Sequence, residues 1–208
     1  MTKTINKTLL SLISLIAATS IAVAVPETFD FKDPKGVNNA VFKLDGVLEA
    51  IQGSANGISG SVVFDPENPS ATKGKIVVTT TSLQVPNSMM KTHLQGGQWM
   101  DVAKYPEITF ETKELKNVKV AGDSTTADAV GTLTIKGVAK EITTPVKLTY
   151  LKDKLGQRVP NMKGDLLVIR STFTIKRSDF GINPGAPQEK VSNDIELSLS
   201  IAGAAAYQ

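Results

Sequence analysis

The stretch IELSLSI, residues 195–201, alternates apolar and polar side chains at every position. Ile195, Leu197, Leu199 and Ile201 fall on one face of an extended chain, and the residues between them fall on the other. This period of two predicts a half-buried β-strand, because successive side chains of a strand point to opposite faces of the sheet. The segment therefore favours a sheet with one apolar face.

The same period recurs along most of the chain after residue 26. It is found in VFKLDGVLEA (41–50), GSVVFD (60–65), GKIVVTTTSL (74–83), EITFET (107–112), TLTIK (132–136), VKLTY (146–150) and STFTIK (171–176). Turn residues separate these runs at 65–69, 121–123, 136–137 and 163–165. About eight strands spaced as hairpins must close or stack to protect their edges. A closed barrel of this size is either filled by its own side chains or holds one small ligand, and alternation leaves both open.

The segment between the runs 74–83 and 107–112 breaks the period and contains the chain's single histidine and single tryptophan. Asn87 or Ser88 can cap a short helix there, and the glycine pair at 96–97 would end it near Leu94. A second helical turn is expected over residues 99–103. The sequence therefore predicts a helical cover between two strands.

The composition excludes several kinds of site. The chain has no cysteine, which rules out thiol catalysis and thiolate metal sites, and its one histidine rules out a multi-histidine metal site. It contains neither a Gly-x-Ser-x-Gly motif nor a calcium-binding loop motif. We therefore expect no catalytic residue, no metal and no cofactor. The 23 basic and 20 acidic residues give a net charge of +3 without a long basic run, which disfavours nucleic acid as a partner.

Residues 1–24 differ from the rest of the chain. Lys3 and Lys7 precede an apolar run, and Ala22-Val23-Ala24 fits a small-x-small cleavage motif. This pattern is typical of a secretory signal peptide that is cut after Ala24. The run is too short and too rich in hydroxyl residues for a stable membrane anchor. We expect an exported protein with a single domain over residues 25–208.

Several longer blocks follow one another in a distinctive order. They are GSVVFDPENPSATKGKIVVTTTSL (60–83), KTHLQGGQWMDVAKYPEITFET (91–112), GTLTIKGVAKEITTPVKLTY (131–150), RSDFGI (177–182) and VSNDIELSLSIAG (191–203). In these blocks the chain resembles the YceI-like family of lipocalin-like periplasmic proteins. The resemblance implies an all-β fold with a minor helix, an extended eight-stranded antiparallel lipocalin-like β-barrel with an apolar internal cavity. It also implies a periplasmic location and a long isoprenoid-type ligand, either a polyprenyl phosphate or a quinone-like lipid.

Two features depart from this family's pattern. The stretch 36–57 lacks the histidines that the family often carries in its first strands, and Met89-Met90 stands near the place of a charged pair. Polar residues at a barrel mouth orient the headgroup of a ligand, so these departures concern the headgroup rather than the barrel.

Twelve residues are the candidates for ligand contact. The predicted helical cover supplies Met89, Met90, His93, Leu94 and Trp99. The strand period places inward Phe64, Phe110, Leu133, Leu148, Tyr150 and Phe173. Arg170 completes the set, since an arginine can pair with a phosphate headgroup in bidentate fashion, although an arginine at a strand end is more commonly exposed.

The candidates in the helical cover allow more than one interpretation. His93 could act as a general base with Asp101, contact a phosphate or quinone oxygen, or make a structural hydrogen bond where the helix meets the barrel. Trp99 and the methionines form either a flexible apolar entrance to the cavity or a plug on the core.

We expect a lipid-binding or carrier protein without catalysis, and two alternatives stay open. One is a stress-response or protein-interaction module that uses the polar loops at 152–165 and 183–194, which a filled barrel would favour. The other is an enzyme that acts on a small hydrophobic substrate through His93. A homodimer is compatible with each of these functions.

Overall fold

The structure, a computed structural model, describes residues 25–207. Eleven β-strands and two short α-helices account for most of this part of the chain. The strands are β1 (Glu27–Asp30), β2 (Asn39–Asp45), β3 (Ala50–Ala55), β4 (Ile58–Phe64), β5 (Lys73–Thr79), β6 (Leu83–Gln84), β7 (Glu107–Ala121), β8 (Ser124–Ile135), β9 (Val138–Leu151), β10 (Gly164–Lys176) and β11 (Asp194–Ala206). The helices are α1 (Ser88–Gln95) and α2 (Leu155–Arg158).

Eight of the strands close into one antiparallel barrel. Hydrogen-bonded neighbours follow the order β1-β4-β5-β7-β8-β9-β10-β11, and β11 returns to β1 where Ala204 faces Asp30. Closure removes the exposed edges that so many half-buried strands would otherwise present. The predicted all-β fold and its eight-stranded barrel are confirmed.

Strands β2, β3 and β6 extend the barrel at one end. β11 pairs with β1 near its own C-terminus and with β2 over Glu196–Ser200, so β1 and β2 lie one after the other along β11. In the same way β4 pairs with β1, and β3 pairs with β2. The barrel is therefore deep enough for an elongated interior.

Asn38 bridges the break between β1 and β2. Its side-chain amide donates to the carbonyl oxygens of Phe31 and Ala202, each at 3.1 Å, and its Oδ1 accepts from the Ala202 N–H at 2.9 Å. Arg158 donates to the same Oδ1 and to Asp33, each at 3.0 Å. The side chain of Asn38 thus satisfies backbone groups of β11 that would be costly to bury unpaired.

Asp33 anchors the loop that leads from β1 to Asn38. Its carboxylate accepts from the N–H groups of Val37 at 2.8 Å and Asn38 at 2.7 Å, and it forms an ion pair with Arg158. Burial alone would raise the pKa of Asp33, but these N–H groups, that of Lys35 and the guanidinium hold it below its usual value. The loop is therefore held by an ionised carboxylate.

Three local predictions about strands and turns are wrong, and one strand lies outside the predicted set. The run 74–83 is not one strand, because Thr80–Ser82 form a 3-10 turn between β5 and β6. The run 41–50 is not one strand, because the Gly46 N–H donates to the Glu49 carbonyl at 2.9 Å and closes a tight turn between β2 and β3. The predicted turn at 163–165 is also wrong, since Gly164 already begins β10. β1 is absent from the predicted set, because four residues are too few to show a period.

Helix α1 begins and ends where the sequence predicts. Asn87 caps its N-terminus by accepting from the Met90 N–H at 3.0 Å, and Gly96 follows its last residue. Residues 97–104 form hydrogen-bonded turns rather than a second helix. α1 lies beside β6, so a helix continues the wall at this end of the barrel. Within residues 25–207, neither helix has the length and apolarity that a bilayer span needs.

Candidate ligand-binding site

A cavity of about 750 Å³ lies inside the barrel and reaches from its centre to the α1 end. Its deeper half is lined by residues such as Leu115 and Leu148, and the half near α1 by residues such as Ile135 and Ile195. The lining is predominantly apolar, and the volume is typical of sites that hold small molecules. The barrel is therefore hollow and is not filled by its own side chains, which are the two possibilities that strand alternation leaves open.

Three aromatic rings close the deep end of the barrel. Phe29 contacts Phe64 edge to face, with ring centroids 6.5 Å apart, and Tyr150 in the same way at 6.3 Å. Phe64 and Tyr150 are 6.0 Å apart. Such arrangements are favourable for aromatic pairs, so the rings form a compact floor.

A polar cluster lies next to this floor and outside the cavity lining. The hydroxyl groups of Tyr150 and Tyr207 and the Asp153 N–H donate to the Asp165 carboxylate. Burial alone would raise the pKa of Asp165, but these hydrogen bonds hold it below its usual value. Burial and the adjacent Asp165 carboxylate raise the pKa of Glu27, and burial and the hydrogen bond to Asp165 raise that of Tyr150. The cluster joins strands β1, β9 and β10.

Two hydroxyl groups in the cavity wall bond to each other. The hydroxyl oxygens of Thr144 and Ser171 are 2.8 Å apart, and the Ser171 hydroxyl donates to the Pro145 carbonyl at 2.7 Å. Both side chains are buried and line the cavity. Pairing between β9 and β10 ends beside them, next to Pro145, which has no N–H to donate. Because both hydroxyl hydrogens are used within the wall, the deep cavity offers a ligand mainly apolar contact.

The mouth of the cavity lies between α1, the β2–β3 turn and the loop that precedes β11. Met89 lines the cavity and is 69% exposed, so the cavity opens to solvent beside it. Glu49 and Lys190 also line it and form an ion pair at 3.5 Å across the opening. Polar groups that could meet a ligand headgroup are therefore concentrated at this end.

Arg177 organises the mouth loop, residues 182–192, from beneath. Its guanidinium is buried and donates to five backbone carbonyls of this loop, those of Ile182, Asn183, Ala186, Val191 and Ser192. It also lies 5.7 Å from the centre of the Trp99 ring, a cation–π contact. Burial lowers the pKa of Arg177. The five carbonyls occupy all of its N–H groups, so Arg177 shapes the mouth and has no donor left for a phosphate.

Nine of the twelve candidate residues line the cavity: Met89, Met90, His93, Leu94, Trp99, Phe110, Leu133, Leu148 and Phe173. Phe64 and Tyr150 point inward as predicted but belong to the aromatic floor. Arg170 lies on the outer face of β10, exposed, and donates to the carbonyls of Ile169 and Ile201. The structure therefore does not bring Arg170 to the cavity, because its neighbour Ile169 takes the inward position.

The imidazole of His93 stands exposed at the cavity mouth. Among residues 25–207, no other side chain forms a hydrogen bond or ion pair with this imidazole, so the structure brings neither a base partner nor a structural acceptor to it. The same range holds no cluster of His, Asp and Glu suited to a metal ion. The position of His93 at the mouth is compatible with contact with a ligand.

Sequence reasoning missed several contributors to the site. Ser171 could have been found, since it holds an inward position in the predicted strand 171–176, and Thr144 continues the inward period of the run 146–150 by one step. The role of Arg177 in the mouth loop has no local signal, because a loop's path is not encoded in strand period. The loop at 152–165 also lies away from the mouth, beside the floor, where Arg158 contacts Asp33. Only the loop at 183–194 borders the opening.

Comparison with known sequences agrees with this architecture. The family model of the YceI-like domain matches residues 31–203. A UPF0312 protein of Yersinia pestis is 34% identical over 204 residues, which covers 96% of this chain and 97% of the relative. A UPF0312 protein of Pseudomonas paraeruginosa is 37% identical over 153 residues, which covers 74% of this chain and 73% of the relative.

Solved structures share the fold. The YCEI protein of Campylobacter jejuni is 26% identical with a TM-score of 0.63, over 77% of this chain and 87% of that one. A polyisoprenoid binding domain from Saccharophagus degradans, implicated in plant cell wall breakdown, is 12% identical with a TM-score of 0.62. That match covers 87% of this chain and 99% of the domain, and at this identity it shows the fold alone.

Proposed function

The chain belongs to the YceI-like domain family, and we propose that it binds a long isoprenoid-type lipid, such as a polyprenyl phosphate or a quinone-like molecule, and carries it. The observation that supports this most is the hollow barrel: an apolar cavity of about 750 Å³ with an aromatic floor and a mouth that carries polar groups. An apolar chain would enter tail first, and its headgroup would stay beside Glu49, Lys190 and His93.

The size of the cavity suits a chain of several isoprene units. At about 30 Å³ for each water-sized group, 750 Å³ holds on the order of 25 heavy atoms. Each methylene that leaves water contributes about 0.8 kcal/mol, so such a chain is held firmly without any charged contact in the deep cavity. The shared fold of the polyisoprenoid binding domain from Saccharophagus degradans gives this ligand class further support.

The alternatives fit the molecule less well. A protein-interaction module needs no cavity, yet the barrel is hollow. An enzyme that uses His93 would need a partner for the imidazole, and the described residues provide none by hydrogen bond or ion pair. A binding protein requires only the apolar wall and the mouth.

We also propose that the protein acts in the periplasm after export. The support is the pattern of residues 1–24, which fits a secretory signal peptide and lies outside the described residues. Fractionation of cells that express the full chain should release a shortened protein by osmotic shock. An uncleaved protein in the cytosolic fraction would contradict this location.

Native mass spectrometry tests the ligand class. The domain is incubated with hexaprenol, with hexaprenyl phosphate and with a menaquinone, and a one-to-one complex is expected. Leu133→Gln places a polar group in the cavity wall and should lower the occupied fraction, whereas Thr134→Gln, on the next residue of β8, should leave it unchanged. A barrel that stays empty with every probe, while its fold is intact by circular dichroism, would refute the proposal.

A further inference from the structure

The turn between β2 and β3 carries two neighbouring apolar side chains that face solvent. Val47 is 87% exposed and Leu48 is 73% exposed. The bond from the Gly46 N–H to the Glu49 carbonyl makes Val47 and Leu48 the tip of a tight hairpin. Two large apolar side chains at a hairpin tip are costly to keep in water, and such exposed apolar surface is typical of a site that contacts a partner or a membrane.

This tip is fixed to the mouth of the cavity. The Leu48 N–H donates to the Glu189 carbonyl at 2.8 Å, and Glu49 pairs with Lys190. Gly46 packs so closely on the mouth loop that an added Cβ would lie 2.8 Å from the Lys190 carbonyl oxygen. The tip therefore holds a set position next to the opening, since Glu49 and Lys190 themselves line the cavity.

Met89 adds a third exposed apolar side chain at the opening. It is 69% exposed and lines the cavity from α1. Val47 and Leu48, next to the cavity-lining Glu49, and Met89 thus lie beside the end of the cavity that opens to solvent, and we call these three residues the apolar rim. At the floor end the cavity is closed by Phe29, Phe64 and Tyr150.

We propose that the apolar rim docks on the surface of a lipid bilayer, so that a ligand passes between bilayer and cavity without crossing water. This inference rests on the proposed function, because a long isoprenoid chain is sparingly soluble and resides in membranes. A carrier for such a ligand must bring its mouth to the bilayer, and the rim places apolar side chains where the contact would form.

Charges near the rim favour apolar insertion over attraction to anionic lipid. Asp45 pairs with Lys43 at 2.9 Å, and Glu49 pairs with Lys190 at 3.5 Å, so the lysines at the hairpin are compensated. A polybasic membrane anchor would instead carry uncompensated lysines. Docking should therefore depend little on salt or on the fraction of anionic lipid, and a contact of three side chains should be brief and reversible.

A transfer experiment tests the inference. The protein is loaded with geranylgeraniol that carries a dansyl group and is mixed with vesicles of phosphatidylethanolamine and phosphatidylglycerol that contain a rhodamine lipid. If the protein docks, the transfer rate rises in proportion to the vesicle concentration. The double substitution Val47→Ser, Leu48→Ser should slow transfer by about tenfold or more, because it removes most of the apolar contact.

The matched control is Val120→Ser, which removes an apolar side chain of 57% exposure from the β7–β8 end of the barrel, away from the mouth. It should transfer the probe at the wild-type rate. A rate that is independent of vesicle concentration, or equal effects of the control and the double substitution, would overturn the docking surface.

Two further measurements separate the competing explanations. Native mass spectrometry shows whether the protein binds the dansyl probe, and a wild-type protein that fails to bind it refutes the proposed function. In that case, flotation of the ligand-free protein with vesicles still tests whether the apolar rim docks on a bilayer. Light scattering reports the oligomeric state. If the double substitution converts a dimer to a monomer and leaves transfer unchanged, the rim is a contact between two copies and the membrane proposal is wrong.

Discussion

Replacing Ala129 with leucine should shorten the apolar chain that the cavity accepts. Ala129 is 3% exposed and lines the cavity from β8, where it pairs with Leu115 and Thr144 on the neighbouring strands. It lies on the floor side of Leu133, so a larger side chain there occupies space that only the end of a long ligand reaches. The change therefore separates ligands by length.

The size of the effect follows from the added volume. Leucine places about three more carbon atoms in the cavity and displaces about three ligand carbons toward the mouth, at about 0.8 kcal/mol each. The loss for a chain that fills the cavity is about 2.4 kcal/mol, or about fifty-fold in Kd. A short chain leaves free volume near the floor, so its Kd should change by less than about threefold. Because the new side chain enters free volume, the ligand-free protein should not lose stability.

Competition against a dansyl-labelled isoprenoid gives both Kd values. Hexaprenol represents a chain that fills the cavity and farnesol a chain that does not. Ala139→Leu is the matched control, since Ala139 is exposed on β9 and gains the same carbons outside the cavity. An unchanged Kd for hexaprenol in a folded Ala129→Leu protein, or an equal loss for both ligands, would refute the view that the chain reaches Ala129.

Three further predictions concern the barrel and its mouth. Asn38→Leu leaves the backbone groups of Ala202 unpaired and should lower the free energy of unfolding by about 3 kcal/mol in urea titrations, and a loss below about 1 kcal/mol would contradict the bridging role. Arg177→Met should increase hydrogen exchange across residues 182–192 while the barrel strands stay protected, whereas a uniform increase would show that Arg177 supports the whole fold. The pKa of Asp33 is lower in the folded protein than its usual value of 3.8, so the ionised carboxylate stabilises the fold fully above pH 3.8. This stabilisation is lost as the pH falls through the folded-state pKa. The thermal midpoint of Asp33→Asn should therefore fall less over that acidic range than the thermal midpoint of the wild type.

The barrel could be predicted from the sequence because strand period is a local property. Ile195 and Ile201 hold inward positions as the alternation requires, and α1 begins at Asn87 because an amide cap acts within three residues. The turn at Gly46 has a local signal as well, since Asp-Gly is typical of hairpin turns, but alternation alone extends the run 41–50 across it. Local signals therefore predict which residues extend and which side they face, provided that turn signals inside a run are given their weight.

Arg170 and Arg177 mark the limit of what strand period predicts. Arg170 stands between the inward residues Ile169 and Ser171, so period alone assigns it to the outer face, where the structure places it. Arg177 lies one residue beyond the end of β10, where period no longer applies. Its burial depends on carbonyls supplied by residues 182–192, whose path is set by tertiary contacts. An arginine at the end of a strand therefore does not by itself predict a contact with a ligand headgroup.

Whether the barrel is filled or hollow depends on the sizes of its inward side chains, not on their period. Near the floor these are the rings of Phe29, Phe64 and Tyr150, which meet across the barrel and leave no space between them. Farther along, the inward positions of β8 and β9 hold Ala129 and Thr144, whose side chains are too short to meet those of the opposite wall. The same alternation thus yields a plug where the side chains are large and a cavity where they are small. The difference in side-chain size between the aromatic floor and the small residues of the wall is therefore what leaves a cavity inside the closed sheet.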